Sequence, residues 1–207
     1  MKTYLSYTLL AAILILLSAC ESGAKFTVHN ACAYPVYINV DGGEQVTINS
    51  NATRSFDIDT DTQSILTGTV KRSVPVKVIG ETFSLEDEIN NLWTDNTNIT
   101  VEAGEELHAY LNPNRASIKV LNSTDTKIRE VWIYKNDGII PSLYTTLSDI
   151  EPGDSKFMRV DYYTPSNPFF YQVHVFLEGS SEPLIYGNAS TILYKDQQFF
   201  TEVGITK

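Results

Sequence analysis

Apolar and polar residues alternate along most of this chain with a period of two. Phe26/Val28, Val36/Ile38/Val40, Val46/Ile48, Phe56/Ile58 and Val74/Val76/Val78 each place every second side chain on an apolar face. That is the period of a half-buried strand. The runs are dominated by threonine, valine, isoleucine and aromatics, which suit a pleated surface. Turn signals separate them about every eight to twelve residues: Asp41-Gly42-Gly43, Asn49-Ser50-Asn51, Asn112-Pro113-Asn114, Asn136-Asp137-Gly138 and Glu151-Pro152-Gly153-Asp154. This cadence predicts an all-β chain built from small sandwiches of about seven strands each.

The runs also recur in order. Phe26-Thr27-Val28-His29-Asn30 is echoed by Ile118-Lys119-Val120-Leu121-Asn122, and Val36-Tyr37-Ile38 with Gly42 by Val131-Trp132-Ile133 with Gly138. Phe56 to Asp59 roughly matches Phe157 to Asp161, Val76 to Ile79 matches Val173 to Phe176, and Asn98 to Val101 pairs with Ser190 to Leu193. Each copy ends on a strand, Leu107 to Leu111 and Phe200 to Ile205. A shared order over two stretches of about 90 residues reads as a duplicated unit. The expected architecture is two tandem immunoglobulin-like β-sandwich domains, residues 26–113 and 114–207, meeting near Asn112-Pro113-Asn114-Arg115. The cysteine pair of antibody domains is absent, so that likeness concerns architecture alone. One segment breaks the strand pattern. In Ser84 to Trp93 (SLEDEINNLW), Ser84 with Asp87 forms a capping-box pattern, and acidic residues fill the first turn, which predicts a short helix.

The N-terminus also departs from the pattern. Lys2 is followed by a wholly apolar run, Leu9 to Leu17, and then by Leu17-Ser18-Ala19-Cys20. A basic start and an apolar core of about ten residues suit a secretory signal better than a bilayer span, which needs about 20. The tetrapeptide resembles the lipobox of bacterial lipoprotein signal peptides. That resemblance implies cleavage before Cys20 and acylation of its thiol, with residues 1–19 as the signal and 20–25 as a lipidated tether. Several acyl chains anchor stably where one is marginal. In the enteric sorting pattern Asp after the cysteine favours the inner membrane, so Glu21 points to the outer membrane. At about 3.3 Å per residue, the stretch Glu21 to Lys25 would keep the first unit within roughly 17 Å of the lipid.

The chain has 207 residues and a formal charge of −10; the signal carries only Lys2, so the mature chain is near −11. An acidic surface disfavours nucleic acid and anionic lipid. Once Cys20 is acylated, Cys32 is the only cysteine left, which excludes an internal disulfide. It reads as a small buried apolar residue, the alternative being a reactive or intermolecularly paired thiol.

The candidate contact surface is Tyr162-Tyr163-Thr164-Pro165-Ser166-Asn167-Pro168-Phe169-Phe170-Tyr171. Its prolines exclude a regular central strand, which puts some aromatics on a loop, where such side chains serve recognition. Tyr162, Tyr163, Phe169, Phe170 and Tyr171 are the candidate ligand- or partner-binding residues. Phe169, Phe170 and Tyr171 could instead alternate into the core as the strand begins. Asp57, Asp59 and Asp61 alternate like a calcium loop, but Thr62 stands where the EF-hand glycine belongs and Gly68 where its glutamate belongs. A solvated strand face accounts for them. Trp132 reads as a core aromatic and Trp93 as an indole packed at the helix end. His29, His108 and His174 lie in separate strands without metal-binding spacing. Four Asn-X-Ser/Thr sequons, at Asn51, Asn98, Asn122 and Asn188, are chance matches in a bacterial lipoprotein.

No nucleophile elbow, P-loop or dinucleotide fingerprint is present. The expectation is a membrane-anchored, non-catalytic envelope lipoprotein, without catalytic residues, metal or cofactor, that acts in protein binding or envelope assembly. A carbohydrate-binding module or adhesin using the same loop is the first alternative. A carboxylate-pair hydrolase is the second, since two acids need no motif.

Overall fold

The computed structural model describes residues 22–61, 69–87, 90, 92–138 and 140–204. Cys20 and residues 1–19 lie outside the described residues. Every regular element among the described residues is a strand. The first seven strands are β1 (Ala24–Asn30), β2 (Val36–Val40), β3 (Val46–Ile48), β4 (Thr53–Ile58), β5 (Lys71–Gly80), β6 (Leu85–Asp87) and β7 (Leu92–Thr94). Next come β8 (Asn96–Glu102), β9 (Glu106–Leu111), β10 (Ala116–Asn122), β11 (Ile128–Asn136) and β12 (Ser142–Ile150). The last are β13 (Ser155–Val160), β14 (Phe170–Leu177), β15 (Leu184–Tyr186) and β16 (Gln198–Val203).

Two compact units result. Of the described residues, those within 22–31, 37–78 and 85–111 form unit 1; those within 112–204, with Cys32–Val36 and Ile79–Ser84, form unit 2. The sheets repeat one topology. The order β4-β1-β9 recurs as β13-β10-β16, and β3-β2-β5-β8 recurs as β12-β11-β14-β15. In each case the first strand runs antiparallel to the fourth and parallel to the last, as in Phe26↔Phe56 and Phe26↔Leu107, and in Ile118↔Met158 and Ile118↔Phe199. The chain is thus all-β with two sandwich units. In constant-type immunoglobulin domains the first strand pairs with the second. Here β1 and β10 lie between the fourth and last strands of their units.

The cores follow from the alternation. In β5, Val74, Val76 and Val78 are buried, while Lys71, Ser73, Pro75 and Lys77 are exposed. Unit 2 buries Ile118, Val120, Ile128, Val131, Ile133, Ile150, Val173 and Val175 together. Glu81, fully buried in unit 2, is held by Lys119 Nζ at 2.8 Å and Gln198 Nε2 at 2.5 Å. Such a charge is tolerable only when paired and hydrogen-bonded.

Three expectations are corrected here. Ser84 to Trp93 contains no helix among its described residues. Leu85–Asp87 and Leu92–Thr94 pair as an antiparallel hairpin, Leu85↔Thr94 through Asp87↔Leu92. Asp87 does not cap a helix. Its carboxylate accepts from the Asn90 backbone N at 3.2 Å and from Asn90 Nδ2 at 2.7 Å, which closes a turn. The Ser84 backbone is taken up by Asn114, whose Oδ1 accepts from Ser84 N at 3.0 Å and whose Nδ2 donates to Ser84 O at 2.8 Å. Trp93 is accordingly 49 % exposed rather than packed at a helix end. The counterpart of β8 is β15, not Ser190 to Leu193, which forms no strand. Phe56 to Asp59 does fall within its expected match, Phe157 to Asp161: Phe56 and Met158 face the same position of the first strand.

Candidate functional site

The proline-rich aromatic segment of unit 2 folds as a tight turn. Asn167 N donates to Thr164 O at 2.9 Å, and Pro165 occupies the second turn position, which its fixed φ favours. The aromatics on either side divide by burial. Tyr171 is fully buried and Phe169 nearly so, their rings edge-to-face at 5.4 Å. Both belong to the core, because β14 begins at Phe170 and its alternation turns both inward, and Phe169 also borders the surface cavity beside Pro168 and Phe170. Tyr162 packs half-buried against the same core. Tyr163 and Phe170 remain at the surface, each half-buried.

The buried pair gives the turn a stiff base. Tyr171 OH donates to Asp161 O at 3.1 Å. The Asp161 carboxylate meets Lys135 at 2.9 Å and Arg115 at 3.3 Å. Lys135 Nζ lies 4.0 Å from the centre of the Phe169 ring, a cation–π contact. Arg115 also donates to Tyr144 OH at 3.2 Å, and Tyr144 stands edge-on to Tyr171 at 5.8 Å. Burial pushes the phenols of both Tyr144 and Tyr171 above the ordinary tyrosine range, chiefly by desolvating the phenolate. Gly187, at φ +83°, closes the far side. A Cβ there would come within 2.7 Å of Tyr171 O.

On this base lies an open cavity of about 310 Å³, lined by Tyr163, Pro168, Phe170 and Ile192 with Asn136 and Asp137 among its polar members. Tyr163 stands edge-to-face with Tyr194 at 5.4 Å, and Tyr194 is 51 % exposed. The arrangement offers apolar and aromatic faces with a few polar groups, which suits binding of an apolar side chain or a sugar face.

By residue type Trp132 is expected in the core. The structure turns it outward, since Val131 and Ile133 take the inward positions of β11. Its ring lies 4.7 Å from Phe176, and its Nε1 donates to Glu130 Oε2 at 3.0 Å. Beside it Tyr134 and His174 are 4.7 Å apart. Desolvation by these neighbours holds the His174 imidazole below its ordinary range. This outward aromatic row was missed, although the V-W-I alternation marks it: if Val131 and Ile133 face in, Trp132 must face out.

Cys32 is buried in unit 2, and burial with the neighbouring Asp196 carboxylate pushes its thiol up to about 11. That removes the thiolate on which reactivity depends. Asp57 and Asp59 are exposed at the end of β4, where the Asp59 carbonyl accepts from Arg72 at 2.6 Å. Asn122 is fully buried, which withdraws that sequon from any surface chemistry. His29 and His108, far apart in sequence, are brought together in unit 1 with ring nitrogens 3.1 Å apart.

No family model matches the sequence, and no curated protein matches it. Solved structures share its β architecture at low similarity. The Bacillus anthracis TIE protein is 10 % identical with a TM-score of 0.29, the match covering 88 % of this chain and 33 % of that one. The chain thus spans about a third of that protein's length. A candidate cell adhesion protein from Bacteroides ovatus is 7 % identical with a TM-score of 0.31, covering 88 % and 92 % of the two chains. A DUF3823 family protein from Bacteroides uniformis is 7 % identical with a TM-score of 0.22, covering 80 % and 95 %.

Proposed function

We propose that this chain is a lipid-anchored, non-catalytic protein of the bacterial cell envelope that docks a protein partner at the aromatic cavity of unit 2. The anchor is Cys20, and Glu21 directs the protein to the outer membrane. The observation that carries the binding role is the cavity itself. Tyr163, Pro168, Phe170 and Ile192 present apolar surface to solvent over a base immobilised by Phe169 and Tyr171. Aromatic anchors on a rigid support are the side chains that dominate binding energy at interfaces. A glycan is the second reading, favoured by the exposed Tyr194 beside Tyr163 and by Asn136 and Asp137 at the same cavity.

The test is affinity capture of the full lipidated protein from gently crosslinked cells, beside a Tyr163→Ala/Phe170→Ala variant. An envelope protein retained by the parent and lost by the variant supports protein docking. Capture of the same proteins by both rejects the cavity as the docking surface. If neither retains a partner while a glycan array binds the parent and not the variant, the second reading replaces the first. Labelling with radioactive palmitate, lost in Cys20→Ala, tests the anchor separately.

A further inference from the structure

The outward face of the three-stranded sheet in unit 1 carries a histidine pair that neither the fold nor the proposed docking function requires. β1 and β9 run parallel, with Thr27 opposite His108 and His29 opposite Tyr110. This register brings His29 Nε2 to 3.1 Å from His108 Nδ1. Each ring's other nitrogen is also engaged. His29 Nδ1 lies 3.0 Å from Thr53 Oγ1, and His108 Nε2 lies 3.5 Å from Glu106 Oε1. Tyr110 stacks on His29 at 4.4 Å with the ring planes 7° apart, which fixes that imidazole in orientation.

The protonation logic is restrictive. The Glu106 carboxylate can only accept, so it favours the His108 tautomer with its proton on Nε2 and a lone pair on Nδ1. The Thr53 hydroxyl can donate or accept. When it accepts from His29 Nδ1, His29 Nε2 also presents a lone pair. Two imidazole lone pairs then face one another across 3.1 Å, each ring oriented from behind by an oxygen. That is the arrangement in which outer partners orient metal-binding histidines. With metal–nitrogen bonds of about 2.0–2.1 Å, a 3.1 Å separation corresponds to an angle of roughly 100° at a shared ion, between square-planar and tetrahedral values. The ion must sit off the line joining the nitrogens, and the His108 side chain, 42 % exposed, has room to rotate toward it.

We propose that His29 and His108 form a surface site for a divalent transition-metal ion of the Cu²⁺/Zn²⁺ class, with Thr53 and Glu106 as positioning residues. Among the described residues no group of three or more His, Cys, Asp or Glu side chains could hold a metal. Water therefore completes the coordination shell, and the site is open. Imidazole ligands and the general affinity order place Cu²⁺ above Zn²⁺.

The experiment uses the full chain in detergent, without a histidine tag, titrated with Cu²⁺ under calorimetry and followed by electron paramagnetic resonance. The expected result is one equivalent with hyperfine structure from two imidazole nitrogens. That equivalent should be lost in His108→Gln and in His29→Gln, retained in His174→Gln, and weakened roughly tenfold in Thr53→Val. Circular dichroism of each variant separates loss of the site from loss of the fold. Should a histidine variant fail to fold, chemical-shift changes confined to the His29 and His108 rings of the parent on adding Zn²⁺ serve instead. An unchanged stoichiometry in a folded His29→Gln/His108→Gln variant overturns the proposal, as does a parent spectrum without nitrogen coupling.

Discussion

Asn30 and Asn122 occupy the same place in the two units, and each ties one sheet of its sandwich to the other. Asn30 Nδ2 leaves the three-stranded sheet and donates to the carbonyl of Ile48 at 3.0 Å; Asn122 Nδ2 donates to the carbonyl of Ile150 at 2.9 Å. Each side chain also reaches a second carbonyl, of Asn49 in unit 1 and of Thr126 in unit 2. A strand interior dominated by valine and isoleucine cannot otherwise satisfy carbonyls at the point where the sheets converge.

Removing either carboxamide should therefore be costly. Asn122→Ala leaves the buried Ile150 carbonyl without that donor and should lower stability by about 2 kcal/mol. Asn30→Ala should do the same in unit 1. Urea denaturation checks this, and a loss within experimental error of zero would show that water replaces the side chain.

Lys119→Met should be among the most damaging single changes in unit 2. It strips the fully buried Glu81 of its cation and should cost about 3–5 kcal/mol. The double variant Lys119→Met/Glu81→Met should recover most of the loss. A double-mutant cycle without coupling would refute the assignment.

The aromatic segment makes opposite predictions for neighbouring residues. Tyr171→Ala and Phe169→Ala should each cost about 3–5 kcal/mol, because both fill the core. Tyr163→Ala and Phe170→Ala should cost roughly 1 kcal/mol or less while altering binding. Melting temperatures of the four variants separate scaffold from surface.

Cys32 should resist alkylation in the folded protein. At neutral pH almost none of a thiol raised to about 11 is ionised, and the side chain is buried. Labelling by iodoacetamide should become complete only in denaturant. Rapid modification of the native chain would contradict its placement.

His174 should contribute a measurable acid sensitivity. Its imidazole is held below the ordinary range by desolvation, so in the window beneath that range the unfolded chain binds a proton that the folded one does not. Stability then falls as pH drops from the ordinary imidazole value through the depressed one, and is regained as pH rises. His174→Gln should lose less stability than the parent between about pH 7.5 and about pH 5. Equal losses in the two proteins would assign the effect to other groups.

Much of this fold was legible because alternation is a local property. Val74, Val76 and Val78 announce their strand, and the paired echoes announce the duplication. Part of what differs has non-local causes. The acidic run after Ser84 carries helix signals, yet Asn114, thirty residues on, takes up the Ser84 backbone, and a hairpin forms. Trp132 was misplaced for another reason: a large aromatic was assigned to the core on its residue type, against the phase of its own strand. The aromatic loop was found by composition, but burial divided it by parity, sending Phe169 and Tyr171 inward. His29 and His108, 79 residues apart, meet only because first and last strands run side by side. No spacing rule reaches that far.

The parallel pairing of β1 with β9, and of β10 with β16, also orders events in time. A ribosome releases the first strand of each unit long before the strand that completes its sheet. Until then that edge offers unpaired backbone groups to any passing extended segment. The duplication aggravates the hazard, since the closing strands of the two copies take the same place beside their first strands, and exchange between copies is an available error. A truncated nascent chain ending before β9 should thus be a client for whatever guards unfinished sheets in the cell.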